Sequence, residues 1–207
     1  MTKEQIVQEI EDYMHHVIWA NDYFCAYNSI LDGGQKYYEE VCLANSFFTI
    51  TRYSLISSML MEIVKLFDSR EEKCLSKLIE LCIQHRDVFP ICTYYALWKD
   101  DLNVNDVDAL LALAKKEIGN LEPLVLSLKT RRDKYYAHND KKYFSPSSNL
   151  SDDCPIIEND VKSLLHFAAE LCNSLLKALT ETYIYPKHID SGDLLKLLMC
   201  THRKLQK

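Results

Sequence analysis

Residues that break regular structure are scarce in this chain: four glycines and five prolines in 207 residues, against a usual share of roughly 12% for the two together. Sandwiches and barrels need a turn signal roughly every 8–12 residues, so folds of that kind are excluded. The chain must be built from long, uninterrupted elements. Apolar spacing says which. Ile6, Ile10, Tyr13, Val17 and Phe24 step by three, four or seven, the repeat of one face of a helix. With 48% apolar and 26% charged residues, the chain can bury a core and is too hydrophobic for general disorder.

The first helix is expected to stop before the Gly33-Gly34 pair, and a second to run from about Tyr37 to Phe67 on the stripe Phe48, Leu55, Met59, Ile63, Leu66. A shorter third carries Leu75, Leu78, Ile79 and Cys82 and ends before the turn from Arg86 to Pro90. The segment from Ile91 to Leu102 fits a short helix or an aromatic loop equally well. Asn105 reads as an N-cap with Asp106 and Asp108 behind it, opening a stripe of Val107, Leu110, Leu111, Ala114 and Ile118. Gly119-Asn120 reads as a break or kink, after which the stripe resumes at Leu121, Leu124, Val125 and Leu128 and enters a basic segment. Residues 143–155 are loop-like, rich in Ser, Asp, Asn and Pro. The last long helix has the cleanest pattern, Val161, Leu164, Leu165, Ala168, Leu171, Cys172, Leu175, Leu179, and a short helix capped by Ser191 follows. The expected fold class is all-α, a four-helix up-down bundle with additional short helices. It forms a single domain over 1–207, with about 191–207 as an appendage.

No stretch reaches the roughly 18 uninterrupted apolar residues of a membrane span, and Glu4, Glu9, Glu11 and Asp12 near the start are unlike a secretory leader. The expectation is a cytoplasmic protein with no membrane contact. None of the eight cysteines forms a C-x-x-C pair and several fall on apolar stripes. They read as small buried hydrophobes in a reducing compartment rather than as disulfides or zinc ligands. No metal and no cofactor is expected.

Net charge is −6, so the molecule as a whole does not attract nucleic acid; any polyanion site must be local. From Lys129 to Lys142 the basic residues Lys129, Arg131, Arg132, Lys134, Lys141 and Lys142 meet only Asp133 and Asp140, a balance of +4 that leaves −10 for the rest. By charge alone a solvated helix end is the better explanation of such a run, since cations favour the C-terminal end of the macrodipole. The run also holds His138. Histidine exchanges a proton near neutral pH, and arginine suits a phosphorus gaining negative charge. Together they suffice for metal-free RNA cleavage, in which the ribose 2′-hydroxyl is the nucleophile. On an ideal helix Arg131 and His138 lie about 20° apart, whereas Arg132 and His138 lie about 120° apart.

The form RDKYYAHND, together with the upstream SSMLMEIVKLFDSREEKCLSKLIELC, resembles the HEPN superfamily, and within it the abortive-infection branch called AbiU-like. The two blocks cover about Val41 to Asp140. The resemblance implies a cytosolic phage-defence protein or toxin acting as an endoribonuclease. It also implies a homodimer through the motif-bearing helices, with two Arg/His sets in one cleft. The polar residue after the family's arginine matches Asp133, which makes Arg132 the motif arginine and Arg131 a second phosphate contact. Helix geometry favours Arg131, and the assignment stays open.

On this reading the catalytic residues are Arg132, His138 and Asp133, the last orienting the guanidinium. Arg131, Lys129, Lys134, Tyr135, Tyr136, Lys141 and Lys142 bind RNA. An antitoxin or regulatory protein is a further expected partner. Relatives regulated by nucleotide transfer carry a tyrosine two positions after the histidine. Here that position is Asp140, which puts this form of control in doubt. A noncatalytic module binding RNA, a nucleotide or a protein is the alternative, and a scaffold bundle the blandest one. Among the other histidines, His166 reads as a core or interface residue. Asp68 reads as a cap for the turn after the second helix.

Overall fold

Four long helices carry the fold, and the computed structural model describes residues 1–100, 102–133 and 157–185. Helix α1 spans Lys3–Lys36, a short α2 spans Tyr38–Leu43, α3 spans Asn45–Phe67 and α4 spans Leu75–Gln84. A small hairpin, β1 (Tyr94–Ala96) and β2 (Leu102–Val104), precedes α5 (Val107–Arg131), and α6 (Glu158–Thr180) completes the bundle. The class is all-α, as the sparse glycine and proline content requires.

Local chemistry sets the helix starts. Thr2 and Gln5 form a reciprocal capping box on α1: Gln5 N–H donates to Thr2 Oγ1 at 3.3 Å and Thr2 N–H to Gln5 Oε1 at 2.8 Å, satisfying two otherwise orphaned donors. The cap of α5 is Asp106, not Asn105. Its Oδ1 accepts from Ala109 N–H at 2.7 Å, and a carboxylate there also meets the positive end of the helix dipole.

Three expected boundaries move. Helix α1 does not stop at Gly33-Gly34 but runs on to Lys36, where Tyr37 N–H closes on Gly33 O at 2.7 Å. The cost of helical glycine is about 1 kcal/mol each, and α1 packs along α3 and α6, which outweighs it. The second helix is interrupted at Ala44 and so divides into α2 and α3. Helix α5 passes unbroken through Gly119 and Pro123. The proline removes the bond to the carbonyl of Gly119, four residues back. Both residues are exposed, so water solvates that carbonyl while Leu121, Val125 and Leu128 stay buried opposite. A Cβ added at Gly119 would meet nothing within 4 Å. Gly119→Ala therefore raises stability by about 0.5–1 kcal/mol. The gain is read as a higher urea midpoint at unchanged slope; a lower midpoint would mean the helix needs glycine beside its proline.

The ambiguous stretch after Pro90 is neither helix nor plain loop. Tyr94 pairs with Val104 and Ala96 with Leu102 in an antiparallel ladder, and a 3-10 turn, Leu97–Lys99, joins the strands with Asp100 at φ 50°. The hairpin faces α6: Leu97 N–H donates to Ser174 Oγ at 3.3 Å, and Trp98 meets Phe167 edge-on with centroids 5.5 Å apart. One contiguous core takes Ile6, Ile10 and Met14 from α1, Leu60 and Ile63 from α3, Leu78 from α4, Leu110 from α5, and Leu164, Leu171 and Leu175 from α6. Asn173, fully buried, donates to Ile184 O at 3.1 Å and accepts from Ile184 N–H at 2.9 Å. That pair fastens the chain after α6 to the helix it has just left.

Helix α3 is long and apolar enough, by length and composition, to cross a bilayer. Here one side packs into the core against α1 and α5, while Phe47, Ile50 and Met61 stand exposed on the other.

Candidate functional site

The basic segment begins in the last turn of α5, and Leu128, buried against the core, fixes that turn. Lys129 does not reach into solvent. Its Nζ lies 2.6 Å from Asp68 Oδ2, with the side chains 16% and 8% exposed. Asp68 is also the C-terminal cap of α3. Its Oδ1 accepts from Arg70 N–H and Nε–H, both at 3.2 Å, and its Oδ2 from Arg70 Nη2–H at 3.0 Å. The expected turn-capping role is present, and with it a tertiary one: a single carboxylate ties the end of α3 to the end of α5. Lys129, expected to hold a strand, is instead an internal anchor whose charge Asp68 offsets.

Arg132 lies three residues past that anchor. Its backbone N–H donates to both Leu128 O and Lys129 O, and it caps the helix in the right-handed helical conformation. The Arg132 side chain is 14% exposed, and its Nε and Nη2 both lie 2.7 Å from Asp133 Oδ1. The neighbouring carboxylate grips one edge of the guanidinium and fixes its plane. Asp133 is in position to orient the arginine.

Arg131 faces elsewhere. Two positions from Lys129, it points about 160° away around the helix, and it lines a pocket of about 210 Å³ with Tyr27, Thr49, Arg52, Tyr53 and Ile56. Arg52 lies over the Tyr27 ring, 5.9 Å from its centroid. The end of α5 thus separates two arginine environments: Arg132 clamped by a carboxylate, and Arg131 beside a second arginine and two phenol rings. His138, Lys134, Tyr135, Tyr136, Lys141 and Lys142 lie outside the described residues, as do Asp140, the loop at 143–155 and the expected helix at Ser191.

Sequence spacing concealed Asp68 as the partner of Lys129 and the group Tyr27, Thr49, Arg52 and Tyr53. These residues come from α1 and α3, far along the chain, and no local signal links them to α5. Another pairing of that kind joins His16 Nδ1 to Glu62 Oε2 at 2.7 Å, with Lys65 Nζ 2.9 Å from the other oxygen. His16 also lines a separate cavity of about 620 Å³ with Tyr13 and Trp19. His166 is exposed, not core, and borders a groove with Tyr183 and Tyr185; it sits on the solvent side of α6 because its neighbours Leu165 and Phe167 take the buried positions.

Among the described residues, Cys25, Cys42, Cys74, Cys82, Cys92 and Cys172 form no disulfide. Cys74, Cys82 and Cys172 are buried as expected, and burial pushes the Cys82 and Cys172 thiols up to about 12, which keeps them protonated and unreactive. Cys42 and Cys92 are exposed, contrary to the expectation for the cysteines as a group. Among the described residues, no cluster of His, Cys, Asp and Glu could hold a metal ion.

A family model, HEPN_AbiU2 (AbiU2), matches residues 3–197. No curated protein and no solved structure matches the chain.

Proposed function

Because the chain belongs to the AbiU2 family of HEPN proteins, we propose that it is a metal-independent endoribonuclease of abortive infection, acting on RNA in the cytoplasm. The observation that carries this reading is the Arg132 guanidinium held on Asp133 at the end of α5. A guanidinium already fixed in place stabilises charge developing on phosphorus without reorganising during the reaction.

The chemistry needs little else. The ribose 2′-oxygen attacks the adjacent phosphorus, the bond from phosphorus to the 5′-oxygen breaks, and a 2′,3′-cyclic phosphate and a 5′-hydroxyl result. His138 takes the proton from the 2′-hydroxyl or returns one to the leaving 5′-oxygen. Arg132 meets the pentacoordinate phosphorus, and Arg131, Lys134, Lys141 and Lys142 hold the strand with Tyr135 and Tyr136 beside it. The protein works as a homodimer whose motif-bearing helices bring two Arg/His sets to one cleft. In support, Phe47, Ile50 and Met61 of α3 and Leu126 of the neighbouring α5 are exposed, the kind of apolar surface that a partner covers. A regulatory protein is a further proposed partner, and the position two residues after His138 is Asp140 rather than a tyrosine open to nucleotide transfer.

The test is end-group analysis of RNA incubated with the purified protein in excess EDTA. Fragments ending in 2′,3′-cyclic phosphate are expected. Cleavage that stops on chelation sinks the metal-free mechanism. Binding without product from any RNA sinks the nuclease and leaves a noncatalytic binding module.

A further inference from the structure

The pocket at the end of α5 opens on the side away from Lys129 and Asp68. Its walls come from three helices: Tyr27 of α1, Thr49, Arg52, Tyr53 and Ile56 of α3, and Arg131 of α5. Helix α3 puts these residues together because positions 49, 52, 53 and 56 fall on one face at helical spacing. Ile56 is buried beneath, whereas Arg52 and Tyr53 reach the surface. The volume, about 210 Å³, is below the ~300 Å³ at which sites for drug-sized ligands begin. It suits a single base or phosphate.

The lining is specific in kind. Two guanidiniums share one small pocket in a chain whose net charge is −6, a local concentration of positive charge. Arg52 lies against the face of Tyr27, an arrangement that holds a guanidinium plane in position, and Tyr53 presents an exposed ring. Arginine forks recognise phosphate, and flat rings and guanidinium planes stack unpaired bases. Thr49 adds a hydroxyl at the same wall.

We propose that Tyr27, Thr49, Arg52, Tyr53 and Arg131 form a nucleotide subsite for single-stranded RNA, next to the position where Arg132 meets the scissile phosphate. Arg52 and Arg131 hold the phosphate neighbouring the cut, and its base stacks on Tyr53. The subsite deepens the nuclease reading and takes its substrate class from it. It also adds a specificity element: a duplex end cannot insert one base into so small a pocket, so RNA that is unpaired at this position is preferred.

The experiment compares the full-length protein with Arg52→Ala, Arg52→Lys and Tyr53→Ala, none of which alters Arg132 or His138. Two readouts are taken: binding of a 2′-O-methyl oligonucleotide, which cannot be cut, by fluorescence anisotropy at several salt concentrations, and cleavage kinetics on the matching RNA. Arg52→Ala is expected to weaken binding about 10-fold, to lower the salt slope by about one, and to raise KM with kcat little changed. Arg52→Lys restores the slope but only part of the affinity, because an ammonium neither forks nor stacks. Tyr53→Ala weakens binding about 5- to 10-fold, within the range for one stacked base. Unchanged affinity and salt slope in Arg52→Ala, beside a wild type that binds, overturns the subsite even if cleavage is intact. Loss of binding in the variant, beside a wild type that binds but never cuts, overturns the nuclease reading and supports the subsite. A wild type that neither binds the analogue nor cuts the RNA overturns both.

Discussion

Arg132→Ala is expected to lower RNA cleavage by about 10²–10³-fold, the usual loss on removing one preorganised charge-stabilising donor. His138→Ala is expected to lower it by about 10²–10⁴-fold, the usual range for a general acid or base. Both losses fall on kcat, because these groups act on the transition state more than on the bound strand. Arg132→Lys recovers little, since an ammonium cannot be held edge-on by Asp133 as the guanidinium is through Nε and Nη2. Arg131→Ala serves as the comparator. If its kcat falls further than that of Arg132→Ala, the catalytic arginine has been misassigned. Mixing the two inactive proteins provides a sharper test of the composite cleft: activity returns if one copy supplies the arginine and its partner the histidine. Cleavage that survives both single substitutions ends the mechanism outright.

The second large effect is structural. Asp68→Ala removes the carboxylate that receives Arg70 and Lys129 at once. Lys129 is left with most of its side chain buried and no counter-charge. Removing one partner of a buried pair costs about 3–5 kcal/mol, and the long lysine stem can lift part of its charge toward water. About 2–3 kcal/mol is therefore expected, a fall of roughly 4–12 °C in Tm for a chain of this length. Lys129→Met should cost less, because Asp68 keeps Arg70. The double variant Asp68→Ala, Lys129→Met should be more stable than Asp68→Ala alone, since no orphaned charge remains. If the single and double variants unfold at the same temperature, the bridge contributes nothing and the last turn of α5 is held by Leu128 alone. If the bridge does hold that turn, Asp68→Ala also lowers cleavage, by moving Arg132 rather than by removing chemistry.

Much of the fold was legible because it is written in single-helix spacing. The stripe from Val161 to Leu179 is buried along its length in α6, and Leu75, Leu78, Ile79 and Cys82 are buried in α4. The misreadings have a common cause. Gly33, Gly34 and Gly119 carry local penalties of about 1 kcal/mol each, and a penalty of that kind suggests a boundary. Burial on the opposite face outweighs them in α5, whereas in α1 Gly33 itself lies buried. The hairpin at Tyr94 escaped because its ladder joins residues whose own spacing favours neither helix nor strand.

The candidate site divides in the same way. The order of residues in RRDKYYAHND, and the contact of Arg132 with the carboxylate beside it, follow from neighbours in the chain, and a sequence records neighbours. That Lys129 turns to Asp68, while Arg131 turns into the pocket beside Arg52 and Tyr27, was decided only when α1, α3 and α5 came together. Periodicity specifies which face of a helix is apolar, but the charges around that face have no partner until another helix arrives beside them. The helices were therefore fixed by the order of residues, and the assignment of each arginine to anchor, clamp or pocket by the packing between them.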